Sequence, residues 1–260
     1  MTQATPDPLA APRRRRWPWV LVALLVVVGA LVALDLLGRQ WAEAAIADRV
    51  ADALDASDAQ VEVEIGGGPL LLQLATGRLA QVELAVDDLE VGPFTGELDV
   101  VAEGVPLDLD AATTSITARY LIPEAALENV SSQLTGVPLA SIALDEPEIV
   151  VSGSVTVLAA SIPFGLGIEP DALDGALAFR VTSLRIANQT LPVEDAVGDP
   201  VFGSLAEALL QQQSVCVADQ LPAALELSGA DVVGDRVVLE FDASGEAVGS
   251  DRFSTRGSCT

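Results

Sequence analysis

The apolar segment at residues 17–37 constrains the fold more than any other feature of this sequence. It has 21 residues with a single charge, Asp35. As a helix rising about 1.5 Å per residue, it is about 30 Å long, which matches the hydrocarbon thickness of a bilayer. Four consecutive arginines, residues 13–16, precede it. Because cationic flanks stay in the cytoplasm, we predict a disordered cytoplasmic tail at 1–16, a single-pass transmembrane anchor and an extracytoplasmic remainder on the periplasmic side of the cell membrane.

A cleaved signal peptide is the competing interpretation. Ala42, Glu43 and Ala44 form a small-x-small sequence of the kind that signal peptidases cut. The apolar run is longer than a usual signal-peptide core, however, and the candidate cleavage site lies well beyond it, so the sequence favours a retained helix. Both interpretations place the domain outside the cytoplasm. An oxidising compartment lets Cys216 and Cys259 form a disulfide, with two unpaired thiols as the alternative.

The residue inventory excludes several classes of enzyme. The chain has no His and no Lys, and all 13 basic residues are Arg. It therefore has no Ser-His-Asp triad, no His-based metal site and no Schiff-base lysine. From Ala45 onward the chain has 8 Arg and 35 Asp or Glu, a balance that repels nucleic acid. We expect a protein that is not an enzyme, has no cofactor or metal, and does not bind nucleic acid.

Local patterns predict a helix at residues 38–56 followed by many strands. Alternation of apolar and polar side chains is the main signal for the strands. They are predicted near residues 60–65, 81–86, 96–103, 105–109, 115–121, 139–144, 148–158, 160–168, 177–182, 215–218, 223–231 and 236–243. Val233-Gly234-Asp235 is typical of the turn between the last two strands, and Asp87-Asp88 predicts a bulge.

Three further helices are predicted among the strands. A glycine-rich break at residues 66–69 precedes a short apolar segment at 70–74, which is closed by Gly77. Another helix starts at Pro123, and a third covers residues 201–213. Strands with one apolar and one polar face form a sheet whose apolar face must be buried against another element. We therefore predict an α+β domain at residues 57–260. Its long curved antiparallel sheet wraps around one or two helices.

Four stretches resemble the actinobacterial LmeA-like family of envelope phospholipid-binding proteins, which are named for a role in lipomannan elongation. They are the helix at residues 41–54, VEVEIGGGPLLLQLATGRLAQVEL at 61–84, RYLIPEAALENV at 119–130 and VCVADQLPAALELSGADVVGDRVVLEF at 215–241. The resemblance covers residues 40–245. It implies a tubular architecture related to one half of the bactericidal permeability-increasing protein fold. It also implies that an apolar groove binds a phospholipid such as phosphatidylinositol, without catalysis.

The apolar segment at residues 69–74 is the first candidate for a lipid portal. Its leucines cannot all face one core from a short helix, although burial by neighbouring elements is the alternative. The loop at residues 161–167 is a second apolar candidate, with an ordinary turn as the alternative. The lipid-contacting residues that we predict are Leu70, Leu71, Leu72, Leu74, Arg78, Val82, Leu84, Val86, Phe164, Leu177 and Phe179.

The arginines of the domain are candidates for binding the lipid phosphate. An arginine can clamp a phosphate with two parallel hydrogen bonds. Arg78 is the best of them because it follows the apolar segment, and Arg119, Arg180 and Arg185 are the others. Ion pairing with nearby Asp or Glu is the alternative for each of these side chains.

Two functions other than lipid transfer or lipid binding stay open. One is a scaffolding domain that recruits envelope glycosyltransferases without holding lipid. The other is a glycan hydrolase that uses a carboxylate pair from Asp145, Glu146 and Glu148. The sequence disfavours the hydrolase because Tyr120 is the only Tyr or Trp after residue 41, whereas sugar sites usually present such rings.

Overall fold

The computed structural model describes residues 17–53, 60–91, 94–131, 139–157, 160–186, 189–196 and 213–259. Its helices are α1 (Trp17–Ala53), α2 (Leu70–Thr76), α3 (Glu124–Ser131), α4 (Val193–Ala196) and α5 (Asp251–Ser254). Its strands are β1 (Gln60–Gly66), β2 (Arg78–Val91), β3 (Phe94–Pro106), β4 (Ser115–Pro123), β5 (Leu139–Asp145), β6 (Glu148–Val157), β7 (Ala160–Leu173), β8 (Ala176–Ile186), β9 (Gln189–Pro192), β10 (Gln213–Cys216), β11 (Glu226–Val233) and β12 (Arg236–Ser244). The predicted tail at 1–16 and residues 201–212 of the predicted helix lie outside the described residues, whereas Gln213, the last residue of that predicted helix, begins β10.

Helix α1 is 37 residues long and has no break between the apolar segment and the residues that follow it. Its stretch Leu24–Asp52 has a mean hydropathy of 1.7, and none of its most apolar window is buried in the protein. Among the described residues it is the one helix long and apolar enough to cross a membrane, and a signal sequence near an N-terminus meets the same criteria.

The strands form two antiparallel sheets. Sheet 1 has the order β1-β2-β3-β4-β12-β11, and sheet 2 has the order β10-β8-β7-β6-β5 with β9 paired to β8. The predicted α+β class, with few helices and mostly antiparallel sheet, is therefore confirmed. The single long sheet of the prediction is divided into two within the described residues.

The main hydrophobic core lies where the two sheets meet. Tyr120, Val237 and Phe241 of sheet 1 are buried in one cluster with Ile142 of β5, and Leu177 of β8 packs against it. Leu127 of α3 belongs to the same cluster. Burial of apolar surface contributes about 25 cal/mol per Å² removed from water, so this cluster stabilises the contact between the two sheets.

Most of the predicted strands are present, but β9 is not among the predictions, β10 begins and ends two residues before the strand predicted at 215–218, and one predicted strand is absent. The ladder between β2 and β3 shifts register between Val86 and Leu89, with Asp88 at a φ of 55°, which confirms the predicted bulge. The separate strand predicted at 105–109 is wrong, because Val105 pairs with Leu79 and continues β3 to Pro106. The residues that follow form a turn that exposes leucine side chains.

Helix α3 begins at Glu124, one residue after the predicted start at Pro123, which ends β4. Glu124 links three elements. The backbone N–H of Glu124 donates to the Asp235 carbonyl at 3.1 Å, in the turn between β11 and β12. The Glu124 carboxylate accepts from the backbone N–H of Leu144 in β5 at 2.7 Å. A carboxylate is also favourable near the positive end of a helix. Glu124 therefore holds α3 against both sheets.

The predicted disulfide between Cys216 and Cys259 is present, with 5.8 Å between the two Cα atoms. It joins the end of β10 to the C-terminal tail. The tail also pairs with the segment before β11, because the Gly257 N–H donates to the Leu221 carbonyl at 3.0 Å. The crosslink therefore closes the chain segment that contains β11 and β12.

We predict that the Cys216→Ser/Cys259→Ser double variant loses about 4 kcal/mol of unfolding free energy. The bond closes a loop with a sequence separation of 43 residues, and the chain-entropy model assigns about that much to such a loop. Denaturant unfolding of the full chain in detergent micelles measures the loss. The wild type under reducing conditions is the matched control and should equal the variant; a loss below about 1 kcal/mol contradicts the prediction.

Tyr120 is a buried polar side chain in the core of sheet 1. Its hydroxyl contacts the Leu89 and Phe94 carbonyl oxygens at 2.9 and 3.1 Å, at the end of the β2–β3 hairpin. Burial, together with the charge of Glu90, raises the pKa of Tyr120 to about 12, against a smaller opposite effect of a backbone hydrogen bond. The folded protein therefore keeps this hydroxyl protonated at a pH where an unfolded tyrosine ionises.

We predict that stability falls by about 1–3 kcal/mol as the pH rises from the unfolded pKa near 10 to the folded pKa near 12. The chain has no Lys and one Tyr, and its two Cys are bonded, so Tyr120 dominates titration in this window. Tyr120→Phe should be less stable at neutral pH by about 1–3 kcal/mol and should lack the alkaline decline. Denaturant unfolding at several pH values measures both effects, and a decline that persists in the variant contradicts the assignment.

Candidate functional site

Helix α1 lies against β1, the strand at the edge of sheet 1. The guanidinium of Arg39 donates from Nη1 to the Ile65 carbonyl and from Nη2 to the Gly68 carbonyl. One turn further along, Glu43 accepts from the backbone N–H of Ile65 at 3.0 Å. An edge strand exposes backbone donors and acceptors, and these two side chains satisfy several of them. Their bonds hold the C-terminal half of α1 beside the sheet.

Helix α2 is seated between α1 and β2. The backbone N–H of Leu71, in the first turn of α2, donates to Asp35 of α1 at 2.8 Å. Leu70 is buried with Ile65 and Leu79, and Ile46 of α1 packs against this cluster. The sequence predicts this helix, and its end is marked by Gly77, whose φ of 75° suits glycine.

Gln73 is a polar residue of α2 whose side chain bonds to the backbone of the segments on either side of the helix. Its side chain is buried, and its Nε2 donates to the Gly66 and Gly68 carbonyls at 2.9 and 3.0 Å. Its Oε1 accepts from the Ala80 N–H at 2.7 Å. One amide therefore joins the end of β1, the glycine-rich break and the start of β2.

A cleft of about 730 Å³ opens between α1 and sheet 1. This volume lies within the range of about 300–1,000 Å³ that is usual for ligand pockets. Helix α1 contributes Glu43, Ala44 and Ala47 to its wall. The apolar residues that the strands contribute are Val61, Val63, Leu84, Ala85, Val100 and Val101.

The charged lining of the cleft is acidic apart from one arginine. Four further carboxylates, Glu62, Glu64, Glu83 and Asp99, line it together with Arg119. Arg119 lies opposite Asp99 in the β3–β4 ladder and opposite Glu240 in the β4–β12 ladder. The cleft is thus amphipathic, with small apolar side chains beside charged groups.

The structure places one of the predicted lipid-contacting residues, Leu84, in the wall of this cleft. Leu70 and Val82 belong to the cluster beneath α1, and Val86 and Leu177 belong to the core between the sheets. Leu84 packs against that core as well, so the structure divides the predicted set into core residues and surface residues and places Leu84 between the core and the cleft.

The other predicted leucines of α2 point away from the cluster beneath α1. Leu71, Leu72 and Leu74 are exposed, whereas Leu70 of the same helix is buried. Phe164 and Phe179 lie half-buried on β7 and β8 of sheet 2. These residues form no common site with the cleft.

The four candidate arginines have different environments. Arg180 pairs with Glu169 and Asp171 at 3.7 and 3.2 Å. Arg78 is exposed and donates to the Gly104 carbonyl at 2.9 Å, and it forms no ion pair with an acidic residue of the described ranges. The phosphate site predicted at Arg78 therefore lies outside the cleft, whereas Arg119 lines it.

The three carboxylates considered for hydrolysis take part in structural contacts. Arg185 contacts Asp145 and Glu148 at 2.9 and 3.2 Å, and this hydrogen bonding, chiefly from Asp145, raises the pKa of Arg185. Glu148 also accepts from the Thr182 and Ser183 hydroxyls at 2.6 and 3.0 Å.

Glu146 accepts from the Gly234 N–H at 3.2 Å and so links β5–β6 to β11–β12. All three carboxylates are thus held by neighbouring strands. This arrangement differs from a pair of carboxylates that face an open substrate cleft.

The cleft residues on α1 are those that sequence reasoning did not assign to a site. Ala44 and Ala47 are small and carry no chemical signal. The alternation of Val61 and Val63 is visible in the sequence, but it does not show that α1 lies beside β1. Only the position of the helix turns these residues into one wall.

A family model described as LmeA-like phospholipid-binding matches residues 33–242, which is most of the chain. No curated protein and no solved structure matches the chain. The matched range includes the C-terminal part of α1 and all of sheet 1 except the last residues of β12.

We predict that Asp35→Ala loosens α2 from α1. The variant removes the carboxylate that accepts from the Leu71 N–H, and loss of a hydrogen bond to a charged group costs about 1.5–3 kcal/mol. Hydrogen exchange at the Leu71 amide should be about tenfold faster or more. Asp48→Asn is the matched control, since it lies about 20 Å further along α1. Equal exchange rates in both variants contradict the contact.

Proposed function

Because the matched range covers most of its length, this chain belongs to the LmeA-like phospholipid-binding family, and we propose that it binds a phospholipid in the cleft between α1 and sheet 1. The observation that carries this proposal is the 730 Å³ cleft, whose lining combines small aliphatic side chains with charged ones. Helix α1 anchors the protein in a membrane, and residues 57–260 form the lipid-binding domain on the extracytoplasmic side. The four arginines before α1 support this orientation.

Apolar burial supplies the affinity in this proposal. An acyl chain lies over Ala85 and Val101 of the sheet, with Ala47 of α1 opposite, whereas Val61, Leu84 and Val100 also pack against the core between the sheets. Each methylene removed from water contributes about 0.8 kcal/mol before the cost of ordering the chain. Because alanine has a short side chain, α1 leaves room between itself and the sheet for such a chain.

Arg119 is the residue that we propose for the lipid phosphate. It is the one arginine that lines the cleft, and its fork of donors suits phosphate oxygens. Its neighbours Asp99 and Glu240 compete for the same donors. The five carboxylates of the lining also repel a headgroup of high negative charge, and this favours a phospholipid whose headgroup carries a compensating amine.

The protein acts by holding and presenting lipid, without breaking bonds. The structural contacts of Asp145, Glu146 and Glu148 support a non-catalytic role. Transfer or presentation of lipid to envelope glycosyltransferases, in the assembly of lipoglycans, is the pathway role that we propose from the family. A scaffold that recruits the same enzymes without lipid is the second candidate, and a variant with a blocked cleft separates the two, because only the scaffold keeps its function.

We predict that Ala44→Trp prevents lipid from entering the cleft. Ala44 is exposed on α1 and lines the cleft, so the indole fills the space without disturbing a core. The full chain is placed in nanodiscs with a phosphatidylcholine that carries a photoreactive acyl chain. After illumination, mass spectrometry should find adducts on the β2 and β3 peptides of the wild type, and several-fold fewer in the variant.

Ala125→Trp is the matched control, since Ala125 is exposed on α3 and is not part of the cleft lining. This variant should keep the wild-type adducts. Wild-type adducts confined to the apolar half of α1 would show that the cleft holds no acyl chain. Adducts on β2 and β3 that persist in Ala44→Trp would move the binding site elsewhere.

A further inference from the structure

We infer that one end of sheet 1 is a lipid-contacting surface that lies in the headgroup layer of the bilayer beside α1. The inference builds on the proposed membrane anchoring by α1. It adds a second contact with lipid, made from the outside of the domain and separate from the cleft.

Strand register brings three segments together at this end of the sheet. Arg78 pairs with Pro106, which places α2 next to the turn at residues 107–114. The Leu107 N–H donates to the Gly77 carbonyl, the C-cap of α2, at 3.0 Å. The Gly249 N–H donates to the Leu109 carbonyl at 2.8 Å, which adds the loop after β12.

These three segments expose six large apolar side chains, which we name the apolar end. Their exposed fractions range from 39% to 62%. They are Leu71, Leu72, Leu74, Leu107, Leu109 and Val248. Single exposed apolar residues are ordinary on proteins, but several from separate segments at one edge indicate a contact surface.

A bilayer is the partner that the position of the apolar end favours. Asp35 of α1 accepts from the Leu71 N–H at 2.8 Å, so α2 lies beside the last turns of the apolar segment. Leu34, Leu36 and Leu37 of those turns are themselves exposed. The apolar surface is therefore continuous from α1 to α2. If α1 spans the membrane, this shared surface lies at the boundary between acyl chains and headgroups.

The charges at the apolar end agree with insertion into a neutral leaflet. Arg78 is exposed and starts β2 beside the leucines, where its guanidinium is placed to reach a lipid phosphate. Asp108 and Asp110 lie on the same turn as Leu107 and Leu109. The two carboxylates give no attraction to anionic lipid, so burial of the leucines supplies the contact with the leaflet.

Depth measurements on spin-labelled protein test this inference. Leu72→Cys and Leu109→Cys are labelled with a nitroxide in the full chain and reconstituted in phosphatidylcholine nanodiscs. Val233→Cys is the matched control. Val233 has nearly the same exposure as Leu72, 55% against 62%, but it lies at the opposite end of sheet 1, where Arg236 pairs with Pro123. All three positions are on the surface, so the labels leave the core intact.

Both test labels should be several-fold more accessible to oxygen, relative to a water-soluble nickel complex, than the Val233 label is. Labels at residues 72 and 109 that are as accessible to nickel as the control would overturn the inference. The photo-crosslinking experiment separates this result from the proposed function. If adducts form in the cleft but the labels are exposed to water, the proposed lipid binding holds and the membrane contact of the apolar end does not. If the labels are in the bilayer but no adducts form in the cleft, only the membrane contact holds.

Discussion

The contact between α1 and the edge of β1 is the interaction on which the rest of this structure depends. An edge strand needs partners for its outward backbone groups, and Arg39 and Glu43 provide them from the helix. The same contact brings Asp35 to the first turn of α2. It also turns the small residues of α1 into one wall of the cleft. The seat of α2, the candidate lipid site and the position of the domain relative to the apolar segment all follow from it.

The scarcity of cations shapes the use of each arginine. Eight arginines accompany 35 carboxylates after residue 44, and several of them join strands. Arg185 holds Asp145 and Glu148, and Arg236 holds Glu97 across sheet 1. Ion pairs at partly exposed sites add little stability, and their main effect is to order neighbouring strands. Arg119 and Arg78 lie instead at the cleft and at the apolar end, the two positions at which we propose that an arginine meets a lipid phosphate.

Much of the fold is readable from the sequence, whereas most of the candidate site is not. Alternation predicts β1, a glycine predicts the stop at Gly77, and the break in alternation at Asp87-Asp88 predicts the bulge, because each of these features depends on neighbouring residues. The strand expected at 105–109 fails because pairing with Leu79 keeps Val105 within β3. Among the predicted lipid residues only Leu84 lines the cleft. An apolar core residue and an apolar cleft residue cannot be distinguished in a sequence, because they differ only in which parts of the folded chain lie next to them.

The sequence by itself determined the apolar helix, the acidic composition of the domain and the absence of histidine and lysine chemistry. It also determined that Cys216 and Cys259 can form only one intramolecular disulfide, with each other. These are properties of composition and of spacing along the chain. Only the tertiary structure decided that α1 lies beside β1, that Arg119 reaches the cleft and Arg78 does not, and that exposed apolar side chains from three distant segments share one end of sheet 1. Such neighbours are set by strand register and packing, which bring together residues that local patterns cannot connect.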